Sequence, residues 1–158
     1  MRSVMEASDM ATLKISSPAF AHNKIIPSKY TCDGANVNPP LTVENVPTQA
    51  KSLALIVDDP DAPAGTWVHW VIWNIEPATK EIRENAVPGG AFQGMTDFRK
   101  QRYGGPCPPS GVHRYFFKLY ALDSLLALGP NVDKVVLERA MKGHILAQAE
   151  LIGLYTRK

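Results

Sequence analysis

The chain has 158 residues, 45% of them hydrophobic and 20% charged, and a formal net charge of +2. That length suits one domain with one sizeable core, and a charge so small leaves no electrostatic footprint for nucleic acid or an acidic membrane surface. Thirteen prolines and 11 glycines weigh against a helical bundle and favour strands joined by structured loops.

Residues 1–10 carry Glu6 and Asp9 and no apolar run, so they do not read as a secretory signal. They read as a flexible extension, followed by a single domain over 11–158. No stretch approaches the roughly 20 apolar residues that span a bilayer, and the expected location is the cytoplasm. Thr12–Ser16 alternates polar and apolar residues and predicts a short strand, closed by Ser17-Pro18. Residues 20–40, with Pro27, Asp33-Gly34 and Asn38-Pro39-Pro40, predict a long loop holding at most one strand. Leu41–Val46 predicts a short strand stopped by Pro47. Lys51–Val57 predicts a buried strand, halted by Asp58-Asp59-Pro60.

Trp67–Ile75 predicts another strand. Simple alternation places Trp67, His69, Val71 and Trp73 on one face and Val68, Trp70, Ile72 and Asn74 on the other. Both sets are largely apolar, so the strand should be central and covered twice, with Trp67, Trp70 and Trp73 in the core. Residues 76–112 show little period. A region that long within a compact domain points to a functional loop or to disorder; Phe92, Phe98 and Tyr103 argue that it packs. His113–Leu122 is the clearest strand, with His113, Tyr115, Phe117, Leu119 and Ala121 on one face. Asp133 then predicts the N-cap of a helix carrying Val136, Leu137, Ala140, Met141 and His144, which Gly143 ends or interrupts. Residues 149–156 suit a final strand, although 144–151 also suit a continued helix. The fold class is mainly β: an antiparallel, sandwich-like single domain with a C-terminal helix packed on a sheet.

Two segments carry candidate chemistry. Gly104-Gly105-Pro106-Cys107-Pro108-Pro109-Ser110-Gly111 runs into His113-Arg114-Tyr115. Its glycines permit close backbone approach, and its prolines fix φ and withhold three amide donors. A loop so constrained reads as a preformed wall of a small site. The second segment is Asp59-Pro60-Asp61-Ala62-Pro63, followed by Trp67-Val68-His69-Trp70. If the two histidine strands are neighbours, Asp59, Asp61, His69 and His113 converge at one sheet edge. A carboxylate on one ring nitrogen would orient each imidazole and favour its protonated form, leaving the other nitrogen to donate to an anion. Backbone amides near Gly104, Gly105 and Gly111 would add donors. Arg114 reads as an exposed cross-strand ion-pair partner, and His22 and His144 have no assigned role.

Cys32 and Cys107 are too few for a disulfide framework and lie in no Cys-x-x-Cys pair; a single bridge between them stays open. Cys107 near His113 invites a thiol-nucleophile reading, but the loop lacks a nucleophile-elbow pattern. The four acidic and imidazole residues match no zinc spacing. No cofactor and no catalytic residue is assigned.

The motifs Asp59-Pro60-Asp61-Ala62-Pro63, Trp67-x-His69-Trp70 and Gly105-Pro106-x-Pro108-Pro109-x-Gly111-x-His113-Arg114-Tyr115, with a closing Tyr-Ala-Leu-Asp at 120–123, resemble the phosphatidylethanolamine-binding protein family. That family is also known as Raf-kinase-inhibitor-like, and the resemblance is to its bacterial and archaeal branch, over about Thr12 to Tyr155. It implies a non-catalytic binding protein with a small pocket for phosphate- or carboxylate-bearing ligands such as phospholipid headgroups. The pocket residues it implies are Asp59, Asp61, His69, Gly105, Pro106, Pro108, His113 and Tyr115. It further implies a cis peptide at Ala62-Pro63, a homodimer, and, as the alternative function, a protein-partner inhibitor or modulator of a kinase or protease. The Gly/Pro loop spacing and the C-terminal end depart from eukaryotic members, so kinase regulation and phospholipid preference transfer poorly.

Overall fold

A computed structural model describes residues 12–157; the extension expected at 1–10 lies outside them. The strands are β1 (Lys14–Ser16), β2 (Lys24–Ile25), β3 (Leu41–Glu44), β4 (Ser52–Asp59), β5 (Trp67–Ile75), β6 (Glu81–Ile82), β7 (Phe92–Gln93), β8 (His113–Leu122) and β9 (Ile145–Tyr155), with helix α1 (Lys134–Met141) before the last. β1-β3-β6 form a three-stranded sheet and β2-β9-β8-β4-β5-β7 a six-stranded one. Every neighbouring pair is antiparallel except β2 against β9.

Alternation along β4 explains the layers. Leu53, Leu55 and Val57 face the small sheet and pack with Ile15, Leu41, Trp70 and Phe117. Ala54 and Ile56 face the other way and pack with Val71, Trp73, Leu137 and Met141 beneath α1. Every residue of β4 is buried, as expected of a strand covered on both faces. The helix starts where the sequence puts it: Asp133 Oδ1 accepts from the Val136 amide at 2.9 Å. Gly143, at φ 85°, ends the helical stretch. β9 then begins at Ile145 and pairs with β8 from His113↔Tyr155 to Leu122↔Ile145, so the continued-helix alternative fails. The Ala, Gln and Glu of 147–150 are good helix formers, and ladder pairing with β8 overrides that propensity. Among the described residues no helix is long and apolar enough to cross a membrane.

The simple alternation expected for β5 fails twice. Val57 faces Trp70 but Asp58 faces Val68, so His69 is an extra residue; Leu55 faces Ile72 but Leu53 faces Ile75, so another extra residue lies between. Each is a β-bulge, which shifts all later side chains to the opposite face. Trp70 and Ile72 therefore face the sandwich core, whereas Val71 and Trp73 face the helix. Trp67 is not core: it is 38% exposed at the strand's start. Asn74 takes the left-handed conformation at the second bulge, with φ 55°. Its side chain donates to the Leu126 carbonyl at 3.0 Å and accepts from the Leu126 amide at 2.9 Å.

Asn74 thus holds a backbone conformation that favours glycine and clamps a distant loop. We expect Asn74→Ala to lose about 2–4 kcal/mol in urea unfolding, combining left-handed strain with two lost hydrogen bonds. Asn74→Gly, which relieves the strain, should be the milder change. Equal losses would show that the bulge conformation contributes nothing.

Candidate functional site

β4 lies between β5 and β8, so the two histidine strands are not neighbours; each flanks the strand that ends in Asp59. The convergence is achieved instead by the first β5 bulge. It puts His69 on the same side of the sheet as Trp70, where its ring meets Tyr115 of β8 at 5.2 Å between centroids. Tyr115 in turn stacks on His113, centroids 6.4 Å apart. Bulges commonly re-aim a side chain beside a site in this way.

These side chains line a cavity of about 310 Å³. Asp59, His69, His113 and Tyr115 supply its polar groups; Ala62, Pro63, Trp67, Phe98, Cys107, Pro108 and Pro109 supply the walls. Asp59 is buried at the end of β4, and its Oδ2 lies 2.7 Å from His113 Nδ1. A carboxylate can only accept there, so Nδ1 carries the proton and Nε2 is the nitrogen left without a protein partner. Asp59 Oδ1 accepts from the Asp61 amide at 2.8 Å, which turns the chain out of the strand.

His69 differs. Its Nδ1 lies 2.7 Å from the Gly104 carbonyl, which is again only an acceptor. Burial pushes the imidazole below its ordinary pKa, against the upward pull of the Gly104 carbonyl and nearby carboxylates. A neutral ring that donates from Nδ1 offers a bare Nε2, so His69 is a hydrogen-bond acceptor, not the protonated donor expected from sequence. Tyr115 completes the set. Its hydroxyl is buried without a hydrogen-bond partner of acceptable geometry. Burial raises the phenol's pKa, and the nearby Asp59 charge raises it further, which keeps the hydroxyl protonated and able to donate.

Of the residues expected in the pocket, Asp59, His69, Pro108, His113 and Tyr115 line one cavity. Asp61, Gly105 and Pro106 do not. Asp61 turns to Arg114, accepting from its backbone amide, Nε and Nη2 at 2.8–2.9 Å, and this pairing holds the carboxyl down at about 2. Arg114 is thus ion-paired to a loop, not across the ladder. The Gly104 amide donates to the His69 carbonyl and the Gly105 amide to Asn36 Oδ1, so neither is free for a ligand. The two glycines serve packing: a Cβ on Gly104 would enter the Phe98 ring, and one on Gly105 would meet the Tyr30 carbonyl. All described peptide bonds are trans, Ala62-Pro63 included. The Asx turn at Asp59 and the Gly65-to-Ala62 backbone bond reverse the chain without a cis bond. Cys32 and Cys107 are bridged, so Cys107 offers no thiolate. Among the described residues no three His, Cys, Asp or Glu side chains cluster as a metal site. Trp67 and Phe98, edge to face at 5.6 Å, are wall residues that sequence reading left outside the pocket; an aromatic at the exposed mouth of a strand was the available signal.

The model of the family described as phosphatidylethanolamine-binding protein matches residues 16–156. An archaeal UPF0098 protein from Methanothermobacter thermautotrophicus is 53% identical, the match covering 92% of this chain and 99% of that protein. The crystal structure of a putative phosphatidylethanolamine-binding protein homolog from Chlamydia trachomatis superposes with a TM-score of 0.90 at 42% identity, over 93% of this chain and 99% of that one. Escherichia coli YbcL, described as a new member of the mammalian family, gives 0.87 at 30% identity, over 94% and 100%.

The buried neutral His69 has a consequence for stability. Its folded pKa lies below the ordinary 6.5, so the unfolded chain takes up a proton here before the folded chain does. The contribution is complete above about pH 6.5 and is lost as pH falls through the folded value. Between about pH 7.5 and about pH 5 we expect His69→Gln to lose less melting temperature than the wild type in scanning calorimetry. An equal or larger loss would mean that the imidazole is not held neutral.

Proposed function

The chain belongs to the phosphatidylethanolamine-binding protein family, and from that premise we propose that it is a non-catalytic binding protein whose cavity takes a small phosphomonoester, with carboxylates as weaker substitutes. The observation that carries this reading is the unequal set of open polar atoms around Tyr115. The Tyr115 hydroxyl is a buried donor that lies near Asp59 but makes no well-aligned hydrogen bond to it. His69 presents an acceptor, and His113 presents an Nε2 oriented by Asp59. A singly protonated phosphate carries both acceptor oxygens and one P–OH donor, so it can satisfy a mixed set that a simple anion cannot. The apolar rim of Pro63, Trp67, Phe98 and Pro109 would cover the organic substituent. Pockets of this size, mostly apolar with a few placed polar groups, are typical of small-molecule sites.

The wall is held before any ligand arrives. Gly104 is bonded to His69 through both its amide and its carbonyl, and the Cys32–Cys107 bridge ties the following turn to the 28–36 loop. Such preorganisation reduces the ordering cost of binding.

Isothermal titration with phenyl phosphate and phosphoethanolamine tests the proposal. Wild type should bind saturably. His113→Ala should weaken binding about tenfold or more, the scale of a hydrogen bond to a charged group. Tyr115→Phe, which removes one hydroxyl and keeps the ring, should weaken it several-fold. No heat at millimolar ligand, or equal affinity in His113→Ala, would defeat the reading.

A further inference from the structure

A second cleft lies on the far side of the 102–105 segment, with a volume of about 400 Å³. Its floor is Trp70 and Tyr103, and its polar rim holds Asn36, Gln93, Arg102 and Asn85. None of the residues assigned to the phosphate-binding cavity lines it.

The hydrogen bonds inside the wall decide what this cleft can recognise. Gln93 Oε1 accepts from Trp70 Nε1 at 2.8 Å, so the end of the amide left open is the NH₂ donor. Asn36 Oδ1 accepts from the Gly105 amide at 2.8 Å, so its open end is also an NH₂ donor. The Tyr103 hydroxyl is used up on the Tyr30 carbonyl. Asn38 has both ends of its amide engaged within the protein, and Asn85, exposed at the rim, forms no side-chain hydrogen bond among the described residues. Arg102 is exposed and carries donors only. Among the described residues it forms no ion pair, and no acidic side chain lines the cleft. Gln93, Asn36 and Arg102 therefore present donors, with one positive charge among them, while the Asn85 amide keeps both its donor and its acceptor at the rim.

We infer that this cleft is a second binding site, for a small monoanionic carboxylate with an apolar body. A planar guanidinium flanked by two amide NH₂ groups matches a carboxylate. A single cation matches one negative charge and leaves a phosphate dianion uncompensated. Val37, Ala86 and Val87 along the rim give the apolar body a surface to cover.

Sodium benzoate titrated into isotope-labelled protein tests the site, because proton–nitrogen correlation spectra read the Trp70 indole N–H and the Gln93 amide directly. Both signals should shift saturably. Arg102→Gln, a change at an exposed position, should weaken the response about tenfold or more. Gln93→Glu keeps an acceptor for Trp70 and turns the open donor into a charged oxygen, so it should remove binding. Benzamide, the neutral isostere, should bind at least about tenfold more weakly than benzoate. His113→Ala should leave this titration unchanged, which separates the cleft from the phosphate-binding cavity. No saturable shift, an equal response in Arg102→Gln, equal binding of benzamide, or loss of binding in His113→Ala overturns the inference.

Discussion

The buried carboxylate of Asp59 is the constraint around which the candidate site is arranged. It sits at the last position of β4, where a charge taken out of water must be fully engaged or destabilise the fold by several kcal/mol. One oxygen accepts from His113 and the other from the Asp61 amide. The first bond sets the ring tautomer at the start of β8. The second sets the turn that carries Asp61 to Arg114 and Ala62-Pro63 to the cavity rim. Asp58, one residue earlier, points to the opposite face and meets Lys118 and Lys134 at 3.0 and 2.8 Å. Two consecutive acids can be buried at one strand end only because alternation sends each to a different layer with its own cationic or donor partners.

The long elements were legible in the sequence because their apolar periods are long. β5, β8 and α1 appear where composition and capping place them, and β4 runs two residues past its predicted end through Asp58 and Asp59. β6 and β7 were not legible: two residues each are too few to show a period, and their pairing with β3 and β5 is a tertiary event. The site was legible in its residue types but not in its geometry. Period-two reasoning cannot register one inserted residue, so it gave His69 the wrong companions. It also treated the two histidines alike. Their difference comes from partners remote in sequence, a carboxylate for His113 and a backbone carbonyl 35 residues away for His69. The Cys32–Cys107 bridge spans 75 residues, and nothing local to either cysteine announces it.

The segment from Tyr103 to Cys107 is a partition as much as a wall. Its anchors to the 28–36 loop are the Tyr103 hydroxyl on the Tyr30 carbonyl, the Gly105 amide on Asn36, the Cys32 amide on the Pro106 carbonyl at 3.1 Å, and the disulfide. On its other side Gly104 grips His69. The glycines that suggested an anion nest are needed because ring and carbonyl atoms pack where a Cβ would sit. The Gly104 and Gly105 amides are spent inside the protein and Pro106 has none, so these three positions supply no open backbone donor.

Which polarity a cleft presents is then set by what the fold has already used. In the cavity around Tyr115, a carbonyl takes the Nδ1 of His69 and a carboxylate takes the Nδ1 of His113, leaving the two Nε2 atoms open beside the Tyr115 hydroxyl. In the cleft around Trp70, an indole and a backbone amide take the acceptors of Gln93 and Asn36, leaving the NH₂ donors of both open. The same short segment enforces both outcomes, since Gly104 orients His69 and Gly105 orients Asn36. Asn36 is suited to this task because it tolerates φ 60° while its side chain reaches across to the partition. The hydrogen-bonding character of each cavity follows both from its own residue types and from the direction of a few internal hydrogen bonds.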